Sequence, residues 1–314
     1  MKTTLRYTSR LLTALALGIV VPSLASAETG KLLLTGGVSS VDGAAGGGIS
    51  PWAVIGTNAT DNQIGFSAYA SALTVPDYRL NVYGAAVGIY NRVELSAAQQ
   101  DLDASPAVGL NGLGFNVASG EHIRMNTVGL KVRLAGEAVL DADTWMPQVS
   151  FGILQKETAA GSIEPVFQFL GAKTHGTEAY IAATKLLLSK GLLVNATLRY
   201  TSANQGGLLG FGSAAPGQNA ASWAPEFSAA YLLSRTLAIG GEFRWMPNNL
   251  EALGRSAGLG DGLASNHWSD VFVAWAPFKH YSLTAAYVDL GQVLPAITNG
   301  RQQSGWYWSL QVAL

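Results

Sequence analysis

Apolar and polar residues alternate with a period of two along most of this chain. At its end Trp306, Trp308, Leu310, Val312 and Leu314 fall on one face, while Tyr307, Ser309, Gln311 and Ala313 fall on the other. Successive side chains of a strand point to opposite faces of the pleat, so this segment reads as a strand with one apolar side. A chain terminus is usually the loosest part of a domain. Here it is among the most apolar parts, which predicts the closing strand of a transmembrane antiparallel up-and-down β-barrel.

The same periodicity predicts strands at 62–73, 79–90, 92–100, 122–135, 145–156, 177–188, 192–202, 225–233, 236–246, 268–276, 281–290 and 304–314. Most have the length of a tilted membrane strand, about 9–11 residues. The connections alternate in length. Short ones fall around Asn91 and at 136–144, 189–191, 234–235 and 277–280. Longer ones fall at 101–121, 158–176, 203–224, 247–267 and 291–303, with 75–77 a brief member of that set. Outer-membrane barrels have short periplasmic turns and long extracellular loops. A periplasmic C-terminus puts every short turn on that side.

The stretch that opens on Lys31 and closes on Ala59 is ambiguous. It alternates through Leu32, Leu34, Gly36 and Val38, turns glycine-rich at 43–48, and is apolar from Pro51. It can supply two first strands, giving fourteen, or a luminal plug, giving twelve. Both counts are even, as single-chain bacterial barrels are. A tight turn at 60–62 would complete a strand there, so fourteen is the expectation.

One face of each strand is apolar enough to meet lipid. Examples are Leu237, Ile239, Phe243 and Trp245; Phe227, Ala229, Tyr231 and Leu233; and Val271, Val273 and Trp275. Leu192, Val194, Leu198 and Tyr200 form another such set, as do Val128, Leu130, Val132 and Leu134. Trp145, Trp245, Trp268, Trp275, Trp306 and Trp308 lie near strand ends, where aromatic girdles sit. The opposite faces carry the charges. Lys131, Arg133, Lys156, Lys185 and Arg199 come from four successive strands. Glu226, Glu242, Arg244 and Asp270 come from the next three, and Glu94 from an earlier one. A lysine or arginine facing lipid at the midplane costs about 2–4 kcal/mol, so these residues are expected to line the lumen. The expected wall is basic on one arc and mostly acidic on the next. Such a wall either orients polar solutes in a transverse field or pairs across the lumen and fills it.

Composition agrees with dispersed apolar residues. Charged residues are 12%, against about 25% in soluble domains. Lys2, Arg6 and Arg10, an apolar core at 11–21 and Ala25-Ser26-Ala27 read as a signal peptide over 1–27. That leader takes three of 19 basic residues and none of 20 acidic ones, so the mature chain carries 16 against 20, a net charge of −4. This balance argues against a nucleic-acid partner. The absence of cysteine excludes disulfides and a Cys nucleophile. His122, His175, His267 and His280 lack metal spacing, and no cofactor motif occurs. Ser265, His267 and Asp270 are the one grouping near a loop rim that could suggest a barrel hydrolase. The glycine runs 43–48 and 206–212 lack the Lys-Ser/Thr of a phosphate loop and suit tight packing inside a lumen.

Several segments resemble an uncharacterised proteobacterial family of exported outer-membrane β-barrel-like proteins. They are Lys-Leu-Leu-Leu-Thr-Gly-Gly-Val at 31–38, Gly-Gly-Gly at 46–48, Pro-Trp-Ala-Val-Ile-Gly at 51–56 and Val-Gly-Leu-Lys-Val-Arg-Leu-Ala-Gly at 128–136. Asn-Ala-Thr-Leu-Arg at 195–199, Leu-Leu-Gly-Phe-Gly at 208–212 and Phe-Val-Ala-Trp-Ala-Pro at 272–277 belong to the same pattern. The resemblance implies location and fold, and no function. Leu314 departs from the phenylalanine common at the end of such barrels.

The sequence thus leads to a porin-like channel for passive passage of small polar solutes in the bacterial outer membrane. Its partners would be outer-membrane lipid and a barrel-assembly machinery that reads the strand from Trp306 to Leu314. The alternative is a non-conducting structural or adhesive barrel that binds a partner through loops 203–224 and 247–267. A hydrolase is the third reading.

Overall fold

The computed structural model describes Lys31, Leu34 and residues 38–139, 144–218 and 220–314. The leader expected at 1–27 lies outside them. A two-strand hairpin, β1 (Val38–Ser39) and β2 (Ala45–Gly46), precedes the main sheet. Twelve strands follow: β3 (Ile64–Thr74), β4 (Arg79–Ile89), β5 (Val93–Asp103), β6 (His122–Ala135), β7 (Gln148–Ala159) and β8 (His175–Leu187). Then come β9 (Leu192–Thr201), β10 (Ser222–Leu232), β11 (Leu237–Arg244), β12 (Trp268–Phe278), β13 (Tyr281–Gln292) and β14 (Gln302–Ala313). Each pairs antiparallel with its sequence neighbours, and β14 pairs back with β3 to close the barrel.

Closure explains the apolar terminus. Trp306 lies opposite Thr74 and Ala313 opposite Ser67. Beyond them Leu314 and Phe66 exchange both backbone hydrogen bonds, at 2.7 and 3.1 Å. A closed ring leaves no sheet edge, which is the condition for strands to cross a bilayer.

Burial alternates along the strands as the periodicity requires. Trp306, Trp308 and Leu310 are exposed, while Tyr307, Ser309 and Gln311 are buried. The outward sets read from sequence all face out, with Val128, Leu130 and Leu134 on β6 and Val271, Val273 and Trp275 on β12 exposed. Two tryptophans differ. Trp268 points inward, 8% exposed, with the Arg244 guanidinium 5.4 Å from its ring centroid. It starts β12 on the face shared with Asp270 and Phe272, so it stands outside the girdle. Trp145 precedes β7 instead of lying in it and is 90% exposed.

The fourteen-strand expectation is not met. Residues 38–57 are buried throughout and fold inside the barrel. The physical reason is visible in the segment from Pro51 to Ile55. It is apolar without alternation, so it has no wet face to present to a lumen. Its backbone groups are instead taken by luminal side chains. The Ala53 carbonyl accepts from Gln148 Nε2 at 2.6 Å, and Thr197 Oγ1 donates to the Pro51 carbonyl at 2.7 Å.

A second segment dips inward. In the β9–β10 connection, residues 203–213 are buried. Gly206 and Gly207 sit at φ of +68° and +106°, a backbone that side-chain-bearing residues rarely adopt. The turn delivers their carbonyls to the wall: Lys156 Nζ donates to Gly206 at 2.9 Å and Thr158 Oγ1 to Gly207 at 2.8 Å. Short helices α1 (Glu164–Leu170), α2 (Glu251–Ser256) and α3 (Pro295–Thr298) lie in the other long loops, with a 3₁₀ segment at Ser105–Leu113.

Candidate functional site: a charged lock on the luminal plug

Eight of the ten charged residues expected to line the lumen are buried inside it: Glu94, Lys131, Lys156, Arg199, Glu226, Glu242, Arg244 and Asp270. Their positions follow from strand parity. What they contact does not, because most of their partners lie on the plug.

The main cluster centres on Asp42, at the tip of the plug hairpin. Its Oδ1 accepts from Lys156 Nζ at 2.7 Å. Its Oδ2 lies 3.2 Å from both Arg199 Nη1 and Arg244 Nη1. Glu178 bridges Lys156 and Arg199, at 2.7 and 2.9 Å. Glu226 bridges Arg199 and Arg244, at 2.5 and 3.5 Å. Three cations therefore face three carboxylates, all nearly inaccessible to water. Burial alone would push the Asp42 carboxyl up. The Lys156, Arg244 and Arg199 cations more than offset it and hold that carboxyl well below the usual carboxylate range.

Two further carboxylates grip the plug backbone. Glu94 accepts from the Ala45 and Gly56 amides at 3.0 and 2.7 Å. Lys131 bonds Glu94 at 3.1 Å and also donates to the Ala45 and Val54 carbonyls at 2.9 and 2.8 Å. Glu242 accepts from the Ile49 amide at 2.9 Å and from Ser228 Oγ at 2.8 Å. Gly47 makes this approach possible: a Cβ there would stand 1.9 Å from Glu242 Oε1. Neutral side chains complete the grip, with Tyr69 donating to the Ser40 carbonyl at 3.0 Å and Trp52 Nε1 to Ser228 Oγ at 3.0 Å.

The expected split between a basic and an acidic arc is replaced by mutual neutralisation. Glu178 supplies the missing anion among the basic strands, and Asp42 supplies another from the plug. Glu178 was legible, since it shares the inward parity of Tyr180 and Ala182 on β8. Asp42 had no sequence signal beyond being a lone charge in an apolar, glycine-rich stretch.

Two residues stand elsewhere, and Asp270 stands in the lumen apart from the lock. Lys185 is on the outward face of β8, between inward Thr184 and Leu186 and opposite exposed Val194. The expectation of a luminal Lys185 is therefore wrong. It lies beside the short-turn end, where Nζ donates to the Met146 carbonyl at 3.4 Å, and long cationic side chains on lipid faces reach to the interface in this way. Arg133 faces inward but at the short-turn rim, bridging Asp61 at 3.1 Å and Glu137. Asp270 faces inward beside Glu242, its register partner on β11, with Oδ1 buried and unpaired.

The hydrolase grouping is not assembled. His267 stacks outward on Trp245, at 4.0 Å between ring centroids, and takes the Met246 amide on Nδ1 at 3.2 Å. Ser265 Oγ accepts from Gln205 at 3.1 Å, and Asp270 points into the lumen. His122 pairs with Asp101 on the outer surface of the sheet, and His280 meets the Ala313 carbonyl at 2.7 Å.

A closed antiparallel ring with an apolar exterior and a polar, filled interior defines an outer-membrane-type β-barrel, whose place is the outer membrane of a bacterial envelope. The chain belongs to the family described as protein of unknown function (DUF3034), whose model matches residues 35–311. No curated protein matches it. Among solved structures it is similar to the NanC porin, at 8% identity and a TM-score of 0.49, over 79% of this chain and 100% of that one. It is similar to the KdgM porin in complex with disordered oligogalacturonate, at 8% identity and a TM-score of 0.47, over 78% and 98%. The COG4313 outer membrane channel from Pseudomonas putida F1 shares 11% identity at a TM-score of 0.46, over 82% and 96%.

Proposed function

We propose that the protein is a porin-like channel closed by its own N-terminal segment. The observation that carries this reading is the Asp42 lock, a single plug carboxylate shared by three cations from β7, β9 and β11. A barrel that needed only a filled core would gain as much from apolar packing. Replacing buried ion networks by apolar residues is often neutral or stabilising, whereas breaking one by removing a partner costs several kcal/mol. A network of that kind is suited to a two-position element: tight when every member is paired, and released when one is not. Passage of small solutes then requires the plug to shift, and the luminal charges named above become pore-lining only in that state.

Single-channel recording in planar bilayers tests this. Wild type is expected to stay closed for most of the record. Asp42→Asn, which removes one anion from the lock and leaves three cations facing two carboxylates, is expected to raise the open probability at least tenfold. Silence in both proteins, with the barrel verified by heat-modifiable mobility on SDS gels, would favour the non-conducting structural barrel instead.

A further inference from the structure

Between the plug and the long loops lies a cavity of about 600 Å³. Its walls are side chains such as Leu73, Ile123, Phe167 and Leu209, and Val41 and Ile49 of the plug form part of its floor. The lumen of a channel for polar solutes has no need of an apolar chamber this size. Nine buried side-chain polar atoms among the described residues have no hydrogen-bond partner. Four of them, Tyr78 Oη, Gln205 Oε1, Trp268 Nε1 and Asp270 Oδ1, belong to residues that line this one cavity. An unsatisfied buried polar atom costs about 1–3 kcal/mol, so their gathering at one place asks for a partner. A large apolar pocket with a few convergent polar groups is the usual form of a small-molecule site.

The unpaired atoms define the ligand. Trp268 offers only a donor, Gln205 Oε1 only an acceptor, and the Tyr78 hydroxyl and the Asp270 carboxyl, which lies beside that of Glu242, can do either. A hydroxyl both donates and accepts, so it can serve one of each. A carboxylate would place a further negative charge against Asp270 and its neighbour Glu242. The rim is also apolar: Val108, Leu113 and Phe169 are 43%, 62% and 47% exposed at the loop end, where an aqueous mouth would be polar.

We propose that this cavity binds a neutral, mostly apolar molecule bearing a hydroxyl group. Binding stands without conduction. That the bound molecule is also the cargo rests on the channel reading. The test uses the mature protein in lipid nanodiscs, with 2-naphthol, naphthalene and 2-naphthoate as probes in equilibrium dialysis against empty discs. The expected result is saturable uptake of one 2-naphthol per protein, at least tenfold tighter than either analogue. Ala107→Trp and Val166→Trp, each placing an indole in the cavity, should weaken binding tenfold or more. Asp270→Leu should retain naphthalene and bring the hydroxyl preference down to about twofold. Uptake no greater than in empty discs would overturn the proposal. So would unchanged affinity in a folded tryptophan variant, or an undiminished hydroxyl preference in Asp270→Leu. None of these outcomes depends on current through the barrel, so failure of the channel reading is read separately, by conductance.

Discussion

Lys185 and Lys131 show how far a single residue's place can be inferred. Both are lysines in strands, and the cost of a charge in lipid argues that both face in. Lys131 does, bonded to Glu94 and two plug carbonyls. Lys185 does not, because that cost falls to about 0–1 kcal/mol near the interface and the Met146 carbonyl is there to receive the ammonium. Strand parity already sets Lys185 on the face opposite Glu178 and Tyr180, and its depth near the interface is what makes that outward placement cheap. Accordingly Lys131→Met, which strands Glu94 in the interior, should lower unfolding stability in urea titrations of the bilayer-inserted protein by about 3–5 kcal/mol. Lys185→Met should change it by less than about 1 kcal/mol. Gly47→Ala belongs to the same scale. The added methyl meets the Glu242 carboxylate, and overpacking of this kind costs about 1–3 kcal/mol, so faster proteolysis within 38–59 is expected. Asp42 makes its own contribution to the pH response. Its folded carboxyl ionises well below the usual value of 3.8. The stabilisation it gives the docked plug is therefore full above that ordinary value and is lost only as pH falls through the depressed one. The difference in protease protection of 38–59 between wild type and Asp42→Asn should be flat from pH 8 to 5 and shrink only in stronger acid. A loss centred near pH 6 would assign the lock to another group.

At the scale of elements, all twelve barrel strands were legible. Alternation fixes which face is buried, and the long and short connections fix the up-and-down order. The 31–59 stretch was not, because its glycines and its apolar run suit both a strand and a plug. The difference lies in non-local partners: Gln148, Thr197, Glu94 and Glu242 take plug backbone groups that a neighbouring strand would otherwise take. The β9–β10 loop was read as a candidate partner-binding surface, yet residues 203–213 are buried inside the mouth. Trimming them should therefore disturb the lumen. A deletion of 205–210 is expected to expose Lys156 and Asp42, detectable as faster amide exchange in β7, while leaving the β3–β14 closure intact. Protection unchanged across β7 would show that the loop does not cap the lock.

At the scale of the whole molecule, the barrel separates two environments along one axis. At the level of the lock, paired charges and plug backbone fill the lumen; between it and the long loops, an apolar chamber remains. Sequence foresaw that the interior is charged. Pairing across the lumen was one of its two readings of that wall; what it did not foresee is the part played by the plug, since Asp42 comes from outside the strands and its pairing depends on where the plug folds. The most direct test compares planar-bilayer conductance of wild type with a variant lacking residues 38–59, both checked for heat-modifiable mobility. A wild type that is mostly closed beside a deletion variant with large, steady, ohmic conductance is the expected result. Equal and steady conductance from both proteins would contradict the claim that this segment closes the barrel.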